Sequence, residues 1–254
     1  MSDRSVAAQK AWKIRLQKAR KMSKRAKKAW DTRLTNWEEL RRSVLLIEGM
    51  SEEKVGCSEG KMLKELFRII DIQMKDNNET VAWNKEEVNS PEKLLSVLRK
   101  ANQSCIHISC HGAYFKNYKK TGFKLPKGRL FSEEICSTKN KALPIWQERI
   151  NKESSIPQLV FLSACETAHE KDMVERFMQA GVRYVIAPKN ETPFSDAALF
   201  SSIFYPLVYV EQKNPYIAFK KVKRTFPKMT GNWRFFDLYK HDFKVYDPNG
   251  VGKL

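Results

Sequence analysis

From residue 43 onwards, the chain alternates between two hydrophobic patterns. Short continuous apolar runs are typical of strands buried on both faces of a sheet, and they occur at 43–49, 80–83, 105–109, 157–164, 182–188 and 233–239. Between these runs, apolar residues recur at helical spacing, at 60–72, 90–101, 170–180 and 195–213. Strands that alternate with helices in this way predict a mainly parallel sheet with helices on both faces.

Local signals support several of these boundaries. Ser90 followed by Pro91 combines a capping residue with proline at the first helical position, which favours a helix start. Gly181 follows the helix predicted at 170–180 and is the residue type that ends helices most often. Within 122–135, Pro126 to Gly128 is typical of a turn, so we expect a small hairpin there.

Two of the predicted strands end in residues that can carry chemistry. His111 and Gly112 follow the strand at 105–109, and Cys165 follows the strand at 157–164. Ligands and reacting groups collect at the carboxyl ends of parallel strands. If the two strands are neighbours, His111 and Cys165 therefore lie on the same rim of the sheet.

A cysteine and a histidine on one rim can perform acyl transfer. Cys165 would be the nucleophile and His111 the acid–base, while the backbone N–H groups of Gly112 and Cys165 would hold an oxyanion. Thr167 with Glu170 resembles a capping box, which predicts a helix start that favours a thiolate at Cys165, although the Glu166 carboxylate opposes it. The alternative is that Cys165 only fills the core and His111 only occupies a surface turn.

The charge of the chain is unevenly distributed. The net charge is +18, and residues 1–34 contain twelve Lys/Arg against two Asp, which gives +10 and leaves +8 for the remaining residues. Hydrophobic residues make up 42% of the chain, so we expect most of it to fold. The amino-terminal segment is therefore predicted to be a basic arm on a folded body.

The basic arm contains an internal repeat. "AAQKAWKIRLQ" at 7–17 recurs as "RAKKAWDTRLT" at 25–35, an offset of 18 residues or about five helical turns, so both copies would share one helix face. Three interpretations stay open: a solvated helix that packs its Ala/Trp stripe, a nucleic-acid-binding arm, or a segment for an acidic protein or an anionic membrane surface. The nucleic-acid candidates are Trp12, Arg15, Trp30 and Arg33.

The five cysteines are an odd number and include no Cys-x-x-Cys pair, so we expect neither a disulfide framework nor a metal site. We also expect no cofactor. The amino terminus lacks the apolar core of a secretory signal, and no apolar run is long enough to span a membrane. These features together predict a cytoplasmic protein.

Five segments, in order, resemble a known family: "CIHISCHGAYF", "GFKLPKGRLFSEEI", "LVFLSACETA", "AGVRYVIAP" and "DAALFSSIFYPL". They resemble the CHAT domain, a caspase-like domain related to separases and gingipains. The resemblance, which covers about residues 43 to 240, implies a caspase-like three-layer α/β sandwich. We assign this domain to residues 41–254 and the basic helical arm to residues 1–40. It also implies a cysteine endopeptidase that acts on protein or peptide substrates, with His111 and Cys165 at the positions of its dyad.

The resemblance further implies a specificity pocket. Members of the wider family that cut after basic residues place an acidic side chain in that pocket, and Asp196 is our first candidate and Glu191 the second. Asp196 can instead serve only the first turn of its helix. The Trp-Pro pair frequent in the family is replaced by Pro188-Lys189-Asn190, and Lys189 would favour an acidic substrate residue. Two other hypotheses stay open: a silent interaction module, and a nucleic-acid sensor through the arm.

Overall fold

The computed structural model describes residues 43–49, 58–76, 79–135, 146 and 156–238. The basic arm, including Trp12, Arg15, Trp30 and Arg33, lies outside the described residues. The strands are β1 (Ser43–Glu48), β2 (Ala82–Glu87), β3 (Cys105–Ser109), β4 (His111–Phe115), β5 (Lys120–Leu125), β6 (Gly128–Phe131), β7 (Leu159–Ser163), β8 (Tyr184–Pro188) and β9 (Trp233–Asp237). The helices are α1 (Glu59–Lys75), α2 (Pro91–Lys100), α3 (Ser132–Ile135), α4 (Asp172–Gln179), α5 (Phe194–Tyr209), α6 (Pro215–Thr225) and α7 (Pro227–Thr230).

Six strands form one sheet in the order β2-β1-β3-β7-β8-β9. All neighbours in it are parallel except β9, which runs antiparallel to β8. The inner strands β3, β7 and β8 are buried along their whole length, which explains their continuous apolar runs. The predicted mainly parallel sheet is confirmed.

Helices cover both faces of this sheet and create two hydrophobic clusters. On one side, which we call the aliphatic side, α2 and α4 pack against residues such as Ile106, Ile108 and Leu162. On the other, which we call the aromatic side, α1, α5 and α6 pack against residues such as Phe161 and Tyr184. The predicted three-layer arrangement is confirmed.

A second sheet has the order β4-β5-β6 and is antiparallel throughout. The predicted hairpin is its β5–β6 pair, which turns at Pro126 and Lys127. The sequence did not predict β4, which begins at His111, one residue after Cys110, and pairs with β5 instead of continuing the main sheet. His111 therefore lies where the chain passes from the large sheet to the small one.

Helix boundaries agree with the capping signals in most places. The Ser90 hydroxyl accepts a hydrogen bond from Lys93 N–H with Pro91 at the first helical position, as predicted. Gly181 has φ +100° just after α4, also as predicted. The helix at 215–225 was not predicted. In the part of the chain that the structure describes, no helix is long and apolar enough to cross a membrane.

Candidate active site

His111 and Cys165 lie at the ends of two neighbouring strands. β3 and β7 are parallel and paired in register, so that Ser109 lies opposite Ser163. His111 and Cys165 each follow two residues later, and both line one cavity of about 210 Å³. The two strand ends thus meet at one rim of the sheet. The cavity lining consists of Glu59, Ser109, Cys110, His111, Ser163, Ala164, Cys165, Pro188, Thr192, Phe194, Ala197 and Trp233.

Gly112 packs directly against the turn that carries the cysteine. A Cβ at Gly112 would lie 2.2 Å from the Cys165 carbonyl oxygen and 2.9 Å from the Cys165 nitrogen. These are backbone atoms, so they could not move aside as a flexible side chain would. Only a glycine therefore lets β4 approach the Cys165 turn this closely.

A second contact joins the same two segments. The Tyr114 backbone N–H of β4 donates a hydrogen bond to Glu166 Oε2 at 2.9 Å. Glu166 itself adopts a positive φ of 58°, within a turn closed by Thr167 Oγ1, which donates to Ala164 O at 2.7 Å. The carboxylate that we expected to oppose a thiolate is thus used to hold the histidine strand beside the cysteine turn.

The helix start predicted immediately after Cys165 is wrong. α4 begins at Asp172, its preceding residue Lys171 has φ +63°, and no side chain caps it. Thr167 is occupied by the turn described above rather than by a capping box with Glu170. Because a helix dipole acts mainly within one turn of the helix end, α4 does not assist Cys165.

The Cys165 sulfur is held by the chain beyond β8. Thr192 N–H donates to Cys165 Sγ at 3.4 Å, and Sγ lies 3.6 Å from Thr192 O. Backbone hydrogen bonds also fix the turn to this segment and to the end of β8, from Glu166 N–H to Asn190 O at 3.3 Å and from Ala168 N–H to Pro188 O at 2.9 Å. The cysteine is half-buried and opens into the cavity.

A buried carboxylate lies at the inner end of the cavity. Glu59, the first residue of α1, is 1% exposed and was not selected from the sequence. Its Oε2 accepts hydrogen bonds from Ser109 Oγ at 2.8 Å and Ser163 Oγ at 2.6 Å. Its Oε1 accepts one from Ser201 Oγ at 3.1 Å and lies 3.3 Å from His107 Nε2.

These contacts keep the Glu59 carboxylate charged. Burial alone raises the pKa of Glu59, but the nearby His107 and the hydrogen bonds from Ser163 and Ser109 outweigh burial, so the pKa lies below its usual value. His107 stacks on Phe161 at 4.8 Å between ring centroids. His107 is therefore a packed residue of the buried core.

A neighbouring buried ion pair fixes the start of α1. Glu48, at the end of β1, accepts from the Ser58 hydroxyl and from Gly60 N–H, and its Oε2 lies 2.7 Å from Lys85 Nζ. Ser58 in turn caps α1 by accepting from Lys61 N–H at 3.0 Å. The two contacts hold Glu59 at the end of the sheet where the cavity opens.

Two other thiols of the described fold, Cys105 and Cys110, differ from Cys165. Burial raises the pKa of the Cys105 thiol to about 12, and burial together with the nearby Cys165 and Glu59 raises the pKa of Cys110 as well. Both are buried, so neither is a nucleophile at neutral pH. Within the described residues, no group of three or more His, Cys, Asp and Glu side chains could hold a metal ion.

The two acidic pocket candidates lie outside this cavity lining. Asp196 is half-buried in the first turn of α5, with its Oδ1 3.4 Å from Ser195 Oγ. Glu191 is exposed, and its carbonyl oxygen accepts from Asn232 Nδ2 at 3.3 Å. Lys189 is exposed as well and is also absent from the lining.

A mainly parallel six-stranded sheet between helices, with a histidine and a cysteine beyond neighbouring strand ends, defines a caspase-like cysteine peptidase fold. The model of the CHAT domain family matches residues 57–225, and the chain belongs to that family. No curated protein sequence matches the chain.

Three solved structures resemble this fold. The Drosophila initiator caspase Dronc is 14% identical, with 78% of this chain and 80% of that chain covered and a TM-score of 0.43. The Arg-specific cysteine proteinase gingipain R (RgpB) is 10% identical, with 78% and 46% covered and a TM-score of 0.47. The Porphyromonas gingivalis complex of RgpB pro- and mature domains is 11% identical, with 78% and 47% covered and a TM-score of 0.47. This chain spans less than half the length of the two gingipain chains.

Proposed function

We propose that the protein is a cysteine endopeptidase in which Cys165 and His111 form the catalytic dyad. The observation that supports this function most directly is that both side chains line one cavity beyond two strands paired in register. The CHAT family match adds to it. Two contacts, at Gly112 and at Glu166, hold the segments of the dyad together, which a plain surface turn would not require.

In this mechanism, the Cys165 sulfur attacks the carbonyl carbon of the scissile peptide bond. His111 takes up the thiol proton and donates it to the departing amine, which leaves a thioester on Cys165. Backbone N–H groups of Gly112 and Cys165 stabilise the negative oxygen of the tetrahedral intermediate. Water, activated by His111, then hydrolyses the thioester and restores the thiol.

We further propose that the enzyme prefers a basic residue before the cut, and that Glu59 rather than Asp196 or Glu191 provides the negative charge. Of these three carboxylates, only Glu59 lines the cavity. Ser109 and Ser163 donate their hydroxyl protons to Glu59, so their oxygens can act only as acceptors towards the cavity. A lysine or arginine side chain would meet these oxygens with the Glu59 charge behind them.

The test is a panel of fluorogenic peptides with Lys, Arg, Asp or Ala before the cut, together with an acyloxymethyl-ketone probe. We expect Cys165→Ala and His111→Ala to abolish cleavage, and Cys165→Ala to abolish labelling. Cys105→Ala is the matched control, since its buried thiol with a pKa of about 12 should not react.

Three outcomes would contradict these assignments. Labelling that survives Cys165→Ala would exclude that residue as the nucleophile. No cleavage of any peptide in the panel, with the fold intact, would favour a non-catalytic interaction module. Cleavage after Asp in preference to Lys and Arg would keep the dyad but reject the role of Glu59 and would favour a role for Lys189 instead.

A further inference from the structure

The outward face of the β4-β5-β6 sheet carries basic and aromatic residues that have no part in the proposed catalysis. The sheet buries Thr121, Phe123, Leu125 and Leu130 on one face. Because side chains alternate along a strand, the intervening residues of β5 and β6 lie on the opposite face. Register places Lys124 beside Arg129 on that face.

This face and its two turns are strongly basic. The segment 112–132 contains six cationic residues and no Asp or Glu. The cationic residues are Lys116, Lys119, Lys120, Lys124, Lys127 and Arg129. Lys120 is paired with Glu133 at 2.7 Å. Within the described chain, no carboxylate lies within ion-pair distance of the other four lysines.

Three aromatic rings lie on the same face. Phe131 contacts Phe115 at 5.4 Å and Tyr118 at 5.3 Å between ring centroids. A Cβ at Gly122 would lie 3.1 Å from Phe115 and 3.2 Å from Phe131, so the missing side chain lets both rings lie close to the sheet. Tyr118 is 55% exposed, which leaves an aromatic surface open at the edge of the cluster.

The edges of the small sheet are less suited to a peptide. Tyr114 N–H on the β4 edge donates to Glu166, and Phe131 N–H on the β6 edge donates to Glu134 at 2.7 Å. A peptide that joined the sheet as an extra strand would need such backbone groups to be free. The face rather than the edges is therefore the surface available to a partner.

We propose that this face and the adjoining β4–β5 turn, with Lys124, Arg129 and Phe131 on the face and Lys116 and Tyr118 in the turn, bind single-stranded nucleic acid. Bases stack on exposed aromatic rings, and surrounding cations neutralise phosphates, which is the chemistry of single-strand binding without sequence preference. β4 provides a platform of five residues, roughly 17 Å long. Binding there involves no thiol chemistry, so its failure and that of the peptidase proposal can be told apart.

The experiment uses the full chain and fluorescent oligouridylate and oligothymidylate of about 15 nucleotides. Anisotropy titrations between about 50 and about 200 mM salt give the affinity and its salt dependence. Removal of two phosphate contacts by Lys124→Ala with Arg129→Ala should reduce the slope by about 1.4, since each contact contributes ~0.7 for a single strand. Tyr118→Ala should weaken binding roughly fivefold or more, and Tyr118→Phe should retain it.

The matched control is Lys220→Ala with Arg224→Ala, which removes the same charge from exposed positions of α6 on the aromatic side. It should leave the salt slope unchanged. Cross-linking of 5-bromouridine oligonucleotides, followed by mass spectrometry, locates the contact. Cross-links in the peptide containing Tyr118 or Phe131 would support the assignment, and the two oligonucleotides distinguish an RNA site from a site for either nucleic acid.

Several results would overturn the proposal. These are cross-links confined to residues 1–34, equal effects of the face variant and the α6 control, or no binding of either oligonucleotide. A short polyglutamate peptide that binds in place of the oligonucleotides, with the same sensitivity to Lys124→Ala and Arg129→Ala, would assign the face to an acidic protein segment instead. Thermal melting of each variant checks that the fold is retained.

Discussion

The two sides of the large sheet differ in chemistry although the same strands build both. Of the 30 described residues in the cluster on the aliphatic side, four are aromatic, whereas nine of the 23 on the aromatic side are. The aromatic side also contains the buried Glu59–His107 pair and its serine partners. Packing alone accounts for the aliphatic side, while the aromatic side also supplies the polar groups at the inner end of the cavity.

One strand illustrates the difference. Along β3, Ile106 and Ile108 face the aliphatic side, while Cys105 belongs to the aromatic side and His107 and Ser109 contact groups there. After β3 the chain continues to His111. Because side chains alternate along a strand, this one strand supplies core residues to the aliphatic side and partners of the polar network to the aromatic side.

The largest effect that we expect on stability comes from Glu59→Ala. It leaves His107 and three serine hydroxyls buried without their common acceptor, and removing one partner of a buried pair costs about 3–5 kcal/mol of the free energy of unfolding. Denaturant unfolding measures it. Glu65→Ala on the same helix is the matched control, because Glu65 is 60% exposed and, within the described residues, pairs with Arg68 alone. Equal stabilities of the two variants would mean that the network does not stabilise the fold.

The next largest effect concerns catalysis. Gly112→Ala would force a Cβ to within 2.2 Å of the Cys165 carbonyl oxygen, so β4 and the cysteine turn must separate. A displacement of this size should lower kcat/KM by about 100-fold. Peptide cleavage assays measure the change. Gly231→Ala is the control, since its Cβ would meet its nearest atom, Pro227 O, at an ordinary 3.4 Å.

A normal rate in Gly112→Ala, with an unchanged melting temperature, would mean that the close approach is not needed for catalysis. The dyad would then tolerate a looser arrangement than the one described. A loss of both rate and stability would point to global disruption of the fold instead. Gly231→Ala, whose added Cβ meets only ordinary contacts, is the reference for both measurements.

Much of the fold followed from the sequence, because strands buried on both faces produce uninterrupted apolar runs. The positions of His111 and Cys165 just beyond two strand ends could be predicted for the same reason, since the end of an apolar run marks where a strand leaves the core. Ser90 with Pro91 determines a helix start through contacts within a few residues, which are local enough to predict.

Other features depend on contacts that no local pattern encodes. Glu59 meets Ser109 and Ser163 at separations of 50 and 104 positions, so its role becomes visible only when the strands are assembled. Thr167 and Glu170 have the local spacing of a capping box, but no helix starts there. The residues form a turn instead, because hydrogen bonds tie that turn to β4 and to the chain at and beyond the end of β8. β4 is too short, at five residues, to produce a clear period of two.

The pH dependence of stability tests the charge on Glu59. Its pKa is lower in the folded protein than the ordinary value of 4.5, so the unfolded chain binds more protons at acid pH. The stabilisation that the Glu59 charge provides is therefore complete above about pH 4.5 and is lost as the pH falls below that value. We expect the difference in unfolding free energy between the wild type and Glu59→Gln to shrink over that window. A difference that stays constant would mean that folding does not lower the pKa of Glu59.

The smallest effect compares packing on the two sides directly. Ile108→Val on the aliphatic side and Ile186→Val on the aromatic side each remove one buried methylene group from a fully buried side chain. Each should cost about 0.5–1.5 kcal/mol in denaturant unfolding, because the lost transfer energy and the small cavity do not depend on the side. Peptide cleavage should stay within about twofold, since a change of this size rarely moves groups that it does not contact. If Ile186→Val cost much more, the aromatic cluster itself, and not only its polar network, would distinguish the two sides.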